Sequence, residues 1–306
     1  MSEIKNIAIL GAGAMGAAYA SRFYKAPGFS ITLIAKGARA DRLKKNGLTV
    51  NGEKIPVSVT GPEEAKSSAD LILVALKDSN LAEAAPDLKN FVGKETTIIS
   101  VMNGLDSDEY LGSIYGMDKV LYCIALGIDA LRLDGEVVFT KIGRLQFGRA
   151  DNTVISDQVR RCQQAFERAG IPSETPVDMI RALWWKYMIN VGLNQASAVM
   201  RATYGVFRDS AGAWAVAVTL MKEVIALARA AKVNLSEQDI DAFFTIMSNL
   251  SPDGKTSMLQ DIEAGRKTEV EAFGGKAVEL GKKYGIPTPV NEVMLRIIQT
   301  LEQRKA

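Results

Sequence analysis

The chain contains no histidine among its 306 residues. That excludes Ser-His-Asp and Cys-His nucleophile systems, His-ligated metals, and a histidine general acid or base. Any proton chemistry falls to Lys, Tyr, Asp, Glu or Cys. Cysteine is scarce as well. Cys123 and Cys162 make neither a disulfide framework nor a zinc cluster, which suits a reducing compartment. Only carboxylates are then left as metal ligands, and no bound metal is expected. An excess of charge is also lacking: 37 Lys+Arg against 35 Asp+Glu leaves a net charge of +2. No global field draws such a protein to nucleic acid or anionic lipid. No uninterrupted apolar run reaches the ~18–20 residues of a membrane span; the stretch from Ala211 to Met221 stops at Lys222. An uncharged stretch from Ile7 to Ser21 contains Ala18-Tyr19-Ala20 and mimics a secretory signal. Glu3 stands where such a signal is positive, and three spaced glycines interrupt the apolar run. The expectation is a cytoplasmic protein without a membrane span.

What is present describes a globular protein. Hydrophobic residues are 47% and charged residues 24%, and the length is about two domains at ~150 residues each. The first half alternates short apolar runs with helical segments. The runs are Asn6–Leu10, Ser30–Ile34, Val57–Val59, Asp70–Leu76, Thr96–Val101 and Val120–Ala125. Several are apolar on successive residues, as strands covered on both faces are, so a mostly parallel sheet of right-handed βαβ units is expected. Glu136–Lys141 and Arg144–Gly148, on either side of Ile142-Gly143, read as a hairpin at the sheet edge. After Asn152 the texture turns helical. Gly170-Ile171-Pro172 ends one helix, and further stretches follow at Asp178–Met200, Ala211–Lys232, Glu237–Ser248, Thr268–Tyr284 and Val290–Gln303. The expected architecture is an α/β Rossmann-type dinucleotide-binding domain over 1–176, followed by an all-helical domain over 177–306.

Gly11-Ala12-Gly13-Ala14-Met15-Gly16 is G-x-G-x-x-G placed directly after the first strand and opening a helix. Gly11 suits the tight turn, Gly13 the close approach of a pyrophosphate, and Gly16 close helix–strand packing. The helix N-terminus then offers free N–H groups to the phosphates. An NAD site wants an Asp or Glu about 20 residues further on, to hold the ribose 2′-OH. Here strand two ends in Lys36, followed by Arg39. A cation in that place pairs with a 2′-phosphate, so NADP(H) is the expected cofactor. Lys36, Arg39, Arg42, Lys44 and Lys45 also make sense as a solvated helix face; Lys44 and Lys45 are assigned to solvent, Lys36 and Arg39 to the phosphate.

Two further strands end in polar groups, Lys77 after Val74-Ala75-Leu76 and Asn103 after Val101-Met102. Each has an ordinary reading, as a strand-end lysine and as a turn dipeptide with Gly104. Together, beside a dinucleotide loop, they suit the lining of a nicotinamide and substrate site. In the second half, Lys186, Asn190 and Asn194 recur at i, i+4, i+8 through an otherwise apolar helix. A solvated face is the alternative, but asparagine is a poor helix former for that task. Ser257 or Thr256 suits a helix N-cap, and Glu269 a first-turn acid.

These residues together resemble the ketopantoate reductase (2-dehydropantoate 2-reductase) family. The resemblance rests on the glycine loop, Leu76-Lys77, Met102-Asn103-Gly104 and Trp185-Lys186 with Asn190 and Asn194. It extends to Ser257-Met258-Leu259-Gln260-Asp261 and Arg266-Lys267-Thr268-Glu269, whose twelve-residue Ser-to-Glu spacing has no generic structural reason. It implies NADPH-dependent reduction of a 2-oxo acid, ketopantoate to pantoate, for pantothenate and coenzyme A synthesis. Lys186 is then the general acid and Glu269 assists it. Asn190, Asn194 and Ser257 are the substrate contacts, and Lys77 and Asn103 lie between cofactor and substrate. The family often has arginine where this chain has Lys36. With no histidine present, desolvation beside Trp184 and Trp185 suits Lys186 to proton donation by lowering its pKa from about 10.4. The expected cleft lies between the domains, in a monomer or homodimer whose partner is a small 2-oxo acid. The rival readings are reduction of another branched 2-oxo acid and a non-catalytic NADPH sensor.

Overall fold

The computed structural model describes residues 3–133 and 135–303. The chain divides into two compact units, Met1–Ala182 and Leu183–Ala306.

The first unit runs β1 (Asn6–Leu10), α1 (Ala14–Lys25), β2 (Ser30–Ile34), α2 (Gly37–Asn46), β3 (Leu48–Val50), β4 (Glu53–Ile55), β5 (Ser58–Thr60) and β6 (Leu71–Val74). It continues with α3 (Leu81–Ala84), β7 (Thr97–Ser100), α4 (Ser107–Tyr115), β8 (Val120–Leu126), β9 (Leu131–Leu133) and β10 (Glu136–Val138). It closes with β11 (Arg144–Gly148), α5 (Asp157–Arg168) and β12 (Ser173–Glu174), and the first turn of α6 (Met179–Ile189) overlaps its end. The main sheet has the order β12-β11-β8-β7-β6-β1-β2-β5. Its strands from β8 to β5 pair in parallel, and β11 joins β8 antiparallel. Strand order therefore reverses between β1 and β6, the switch point where open α/β sheets bind ligands.

The apolar runs are short and unalternating because both faces are covered. Ile7 and Ile9 of β1 enter one core with Leu33, Leu71 and Leu73, while Ala8 and Leu10 enter the other with Ile34, Ile72 and Val74. The signal-like stretch from Ile7 to Ser21 is accordingly β1, the glycine loop and most of α1, with Tyr19 fully buried.

The expected edge hairpin is corrected. β10 and β11 belong to different sheets. β11 pairs with β8, whereas β10 pairs antiparallel with β9 and in parallel with β3 in a second sheet of order β4-β3-β10-β9. Gly143 separates the two at φ +66, where an added Cβ would meet the Leu126 carbonyl oxygen at 2.2 Å. β10 instead pairs antiparallel with β9, Glu136 opposite Leu133 and Val138 opposite Leu131.

The second unit is helical throughout its described residues. After α6 come a π-helical turn at Asn190–Asn194, α7 (Gln195–Met200), α8 (Tyr204–Asp209), α9 (Ala211–Ala230), α10 (Glu237–Ser248) and α11 (Ser257–Glu263). A second π-helical turn at Glu271–Gly275 leads into α12 (Lys276–Tyr284), and α13 (Pro289–Gln303) ends the chain's described part. By length and composition α9 passes for a bilayer-crossing helix, with mean hydropathy 1.6, although Lys222 and Glu223 interrupt its apolar run. Leu220, Met221, Val224 and Leu227 are nevertheless fully buried within this unit, and Glu223 caps a neighbouring helix. That is the packing of a core helix.

Candidate active site

Four adjacent parallel strands deliver the expected groups of the first unit to one edge. Leu10 pairs with Ile34 on one side and Val74 on the other, and Val74 pairs with Ser100. Gly11 follows Leu10, Lys36 lies two residues past Ile34, and Lys77 and Asn103 each lie three residues past Val74 and Ser100. All four therefore leave the carboxyl ends of their strands. Asn103 sits in a turn held by Ser100, whose Oγ donates to Ser107 Oγ at 2.7 Å and accepts from Met102 N at 3.3 Å. Gly104 completes that turn at φ +103.

The glycine loop divides its tasks as steric space requires. A Cβ on Gly11 would come within 2.3 Å of the Ala75 carbonyl oxygen, and one on Gly16 within 1.9 Å of the Gly11 carbonyl oxygen. Beside Gly13 there is nothing within 4 Å among the described residues. The first and third glycines are demanded by the protein itself. The second borders open space at the N-terminus of α1, which fits a pyrophosphate held by free N–H groups. The cations beyond β2 are arranged unequally. Lys36 Nζ is 2.9 Å from Asp87 Oδ1, and this pair raises the lysine's pKa. Arg39 has no such partner among the described residues. Desolvation first, then the neighbouring cations Arg42 and Arg132, hold its guanidinium below the ordinary arginine pKa. Arg132 was not singled out in the sequence. It lies on β9 and donates from Nη1 to the Ala12 carbonyl, 120 positions away in the chain, at 3.0 Å.

In the second unit, Lys186 lies in α6, and Asn190 and Asn194 bound the π-helical turn. The expected α-helical stack is thus modified: the step from Asn190 to Asn194 runs through i→i+5 geometry, which widens the turn. The two side chains still meet, Asn194 Nδ2 donating to Asn190 Oδ1 at 3.5 Å, and Asn190 Nδ2 is buried without a partner among the described residues. α11 packs on α7 and on this turn, and the second π-helical turn packs on it as well. These packings bring α11, which begins at Ser257, and the segment that follows Glu269 against the helix that carries Asn190 and Asn194. The cap of α11 is Thr256, whose Oγ1 accepts from Leu259 N at 3.2 Å, so the exposed Ser257 hydroxyl is not used for capping. Tyr187 Oη donates to the Phe273 carbonyl at 2.7 Å and ties α6 to the segment after Glu269.

A buried polar chain supports the first π-helical turn, and no sequence pattern announces it. Gln195 Nε2 donates to the Val191 carbonyl at 2.8 Å and to Asn291 Oδ1 at 2.9 Å. Asn291 Nδ2 donates to Glu223 Oε2 at 2.7 Å. Gly274, in the other π-helical turn, leaves the space that Gln195 Oε1 occupies: a Cβ there would lie 2.3 Å from that oxygen.

The chain is similar to known proteins over both units. The family description "Ketopantoate reductase PanE/ApbA" matches residues 7–152, and "Ketopantoate reductase PanE/ApbA C terminal" matches 178–302. The chain is similar to the 2-dehydropantoate 2-reductase of Aquifex aeolicus, 27% identical over 300 residues covering 96% of each chain. It is similar to the crystal structure of a PanE/ApbA family ketopantoate reductase from Ralstonia eutropha, 27% identical with a TM-score of 0.82, covering 97% of this chain and 98% of that one. Its fold is shared by a D-mandelate dehydrogenase solved with NADH and anilino(oxo)acetate, at 20% identity and a TM-score of 0.86, covering 97% and 98% of the two chains. With both family regions matched across both units, the chain belongs to the ketopantoate reductase family of oxidoreductases.

Proposed function

We propose that the chain reduces 2-dehydropantoate to pantoate with NADPH. The observation that carries this reading is the polar group on the helix through the first π-helical turn, where Asn190 keeps a buried amide nitrogen without a partner among the described residues. A buried polar atom of this kind is satisfied by something, and a substrate carboxylate or hydroxyl oxygen is a suitable acceptor. Gly11, Gly13 and Gly16 hold the dinucleotide, with Lys36 and Arg39 on its adenosine side and Lys77 and Asn103 on its nicotinamide side.

Bound NADPH supplies the hydride that adds to the C2 carbonyl carbon. Negative charge then develops on the carbonyl oxygen, and Lys186 Nζ donates the proton that completes the alcohol. The neutral amine regains a proton from solvent before the next turnover. Glu269 holds the ammonium in position, since a carboxylate favours the charged lysine. Asn190, Asn194 and Ser257 bind the substrate's carboxylate and hydroxyl oxygens. The partner is thus a small-molecule 2-oxo acid. The same fold carries a D-mandelate dehydrogenase, which makes reduction of a different 2-oxo acid the second reading.

The test is Lys186→Ala assayed with ketopantoate. It is expected to lower kcat by about 10²–10⁴, the usual scale of one acid–base group, with the Kd for NADPH little changed. An unchanged kcat would remove Lys186 from the acid's role.

A further inference from the structure

Arg132 sits far from every motif that marks the nucleotide loop, yet the structure brings it there. It lies on β9, an edge strand of the second sheet, and that sheet packs against α1, the helix that the glycine loop opens. One nitrogen of its guanidinium donates to the carbonyl of Ala12, between the first two glycines, and the other to the Gly135 carbonyl at 3.3 Å. These bonds fix the plane of the fork while leaving other N–H donors of the five unused among the described residues. The charge of Arg132 also acts on Arg39, and neither has a carboxylate partner within 4.0 Å among the described residues. Lys36, by contrast, is already paired with Asp87. Two guanidinium groups held near one another without a counter-charge are unfavourable unless an anion joins them. A phosphate dianion matches the fork geometry of both.

The position of that anion follows from the topology. α2, which carries Arg39, begins directly after β2, where a Rossmann-type site meets the adenosine ribose 2′ position. Ala12 lies on the loop that approaches the same nucleotide. Resting on the dinucleotide reading above, we propose that Arg132 and Arg39 together clamp the 2′-phosphate of NADPH, making Arg132 a specificity-determining residue for NADPH over NADH.

The experiment titrates NADPH and NADH, in the absence of substrate, into the full chain and into Arg132→Ala, Arg132→Lys and Arg39→Ala, by calorimetry. Arg132→Ala is expected to raise the Kd for NADPH about 10- to 100-fold, the range for a charge-assisted hydrogen bond, and to leave the Kd for NADH within about twofold. Arg132→Lys, which keeps the charge and loses the fork, falls between. The double variant Arg39→Ala/Arg132→Ala loses less than the product of the single losses, because both act on one phosphate. Equal weakening of NADPH and NADH would move Arg132 to the shared part of the cofactor and overturn the assignment. An unchanged Kd for NADPH would overturn it as well. If the unaltered chain binds neither nucleotide, the dinucleotide reading itself fails, a result distinct from failure at Arg132 alone. Thermal melting of each variant shows that the fold is intact, as expected for an exposed edge-strand side chain.

Discussion

At the residue scale, one substitution has opposite meanings at two glycines of the same loop. Gly16→Ala drives a methyl group to 1.9 Å from backbone that has little room to yield, and is expected to destabilise the first unit by about 1–3 kcal/mol or more. Gly13→Ala meets nothing within 4 Å among the described residues, and Gly13 has φ −78, which alanine adopts freely. It is expected to leave the melting temperature unchanged while raising the Kd for NADPH at least about tenfold, equivalent to ~1.4 kcal/mol. Melting curves and NADPH titrations on the two variants separate these effects; a fold that collapses in Gly13→Ala would contradict the division of tasks. The cysteines give a second residue-scale prediction. Burial pushes the Cys162 thiol up to about 12, and Cys123 is also buried. Neither side chain is presented to a reagent in the native chain. A thiol-exchange reagent is expected to titrate neither cysteine natively and both in denaturant. Rapid native labelling would contradict the burial of these side chains.

At the scale of elements, the helix from Met179 to Met200 shows where sequence periodicity suffices and where it stops. Its length and the recurrence of Lys186, Asn190 and Asn194 are legible because an apolar background makes three polar positions conspicuous. The π-helical turn is not legible, because its support comes from Gln195 bonded to Asn291, a residue 96 positions distant. Glu223 anchors that support: it accepts from Val290 N at 2.9 Å, Asn291 N at 3.0 Å and the Asn291 amide. Glu223→Ala leaves three donors at the start of α13 without this acceptor. It is expected to cost about 2–4 kcal/mol by denaturant titration, with Glu223→Gln costing less because one amide oxygen still accepts. Equal stability of the alanine variant and the unaltered chain would show that water replaces the carboxylate without loss. The misread hairpin has the same origin as the unread turn. Local apolar runs announced β10 and β11, but their partners are fixed by strands elsewhere: Val50 for Val137, and Leu126 for Arg144.

At the scale of the whole molecule, the parallel sheet was readable because strands covered on both faces must be apolar throughout, and β1 and β2 keep the bounds their sequence suggests. The glycine loop was readable because its glycines answer local steric demands. Arg132 was not, because its relation to Ala12 exists only after the second sheet has packed on α1. A chain without histidine that belongs to a family of ketopantoate reductases must find its proton donor elsewhere, and the helical unit offers a lysine with two asparagines beside it. The most direct measurement is loss of NADPH absorbance with ketopantoate, run beside 2-oxoisovalerate, 2-oxoisocaproate and an NADH control. The expected result is turnover above ~1 s⁻¹ with KM below ~1 mM for ketopantoate, in the ordinary range for a native substrate, and weaker use of NADH. Turnover confined to another 2-oxo acid would move the substrate, and NADPH binding with no turnover on any of them would contradict the assignment of a reductase.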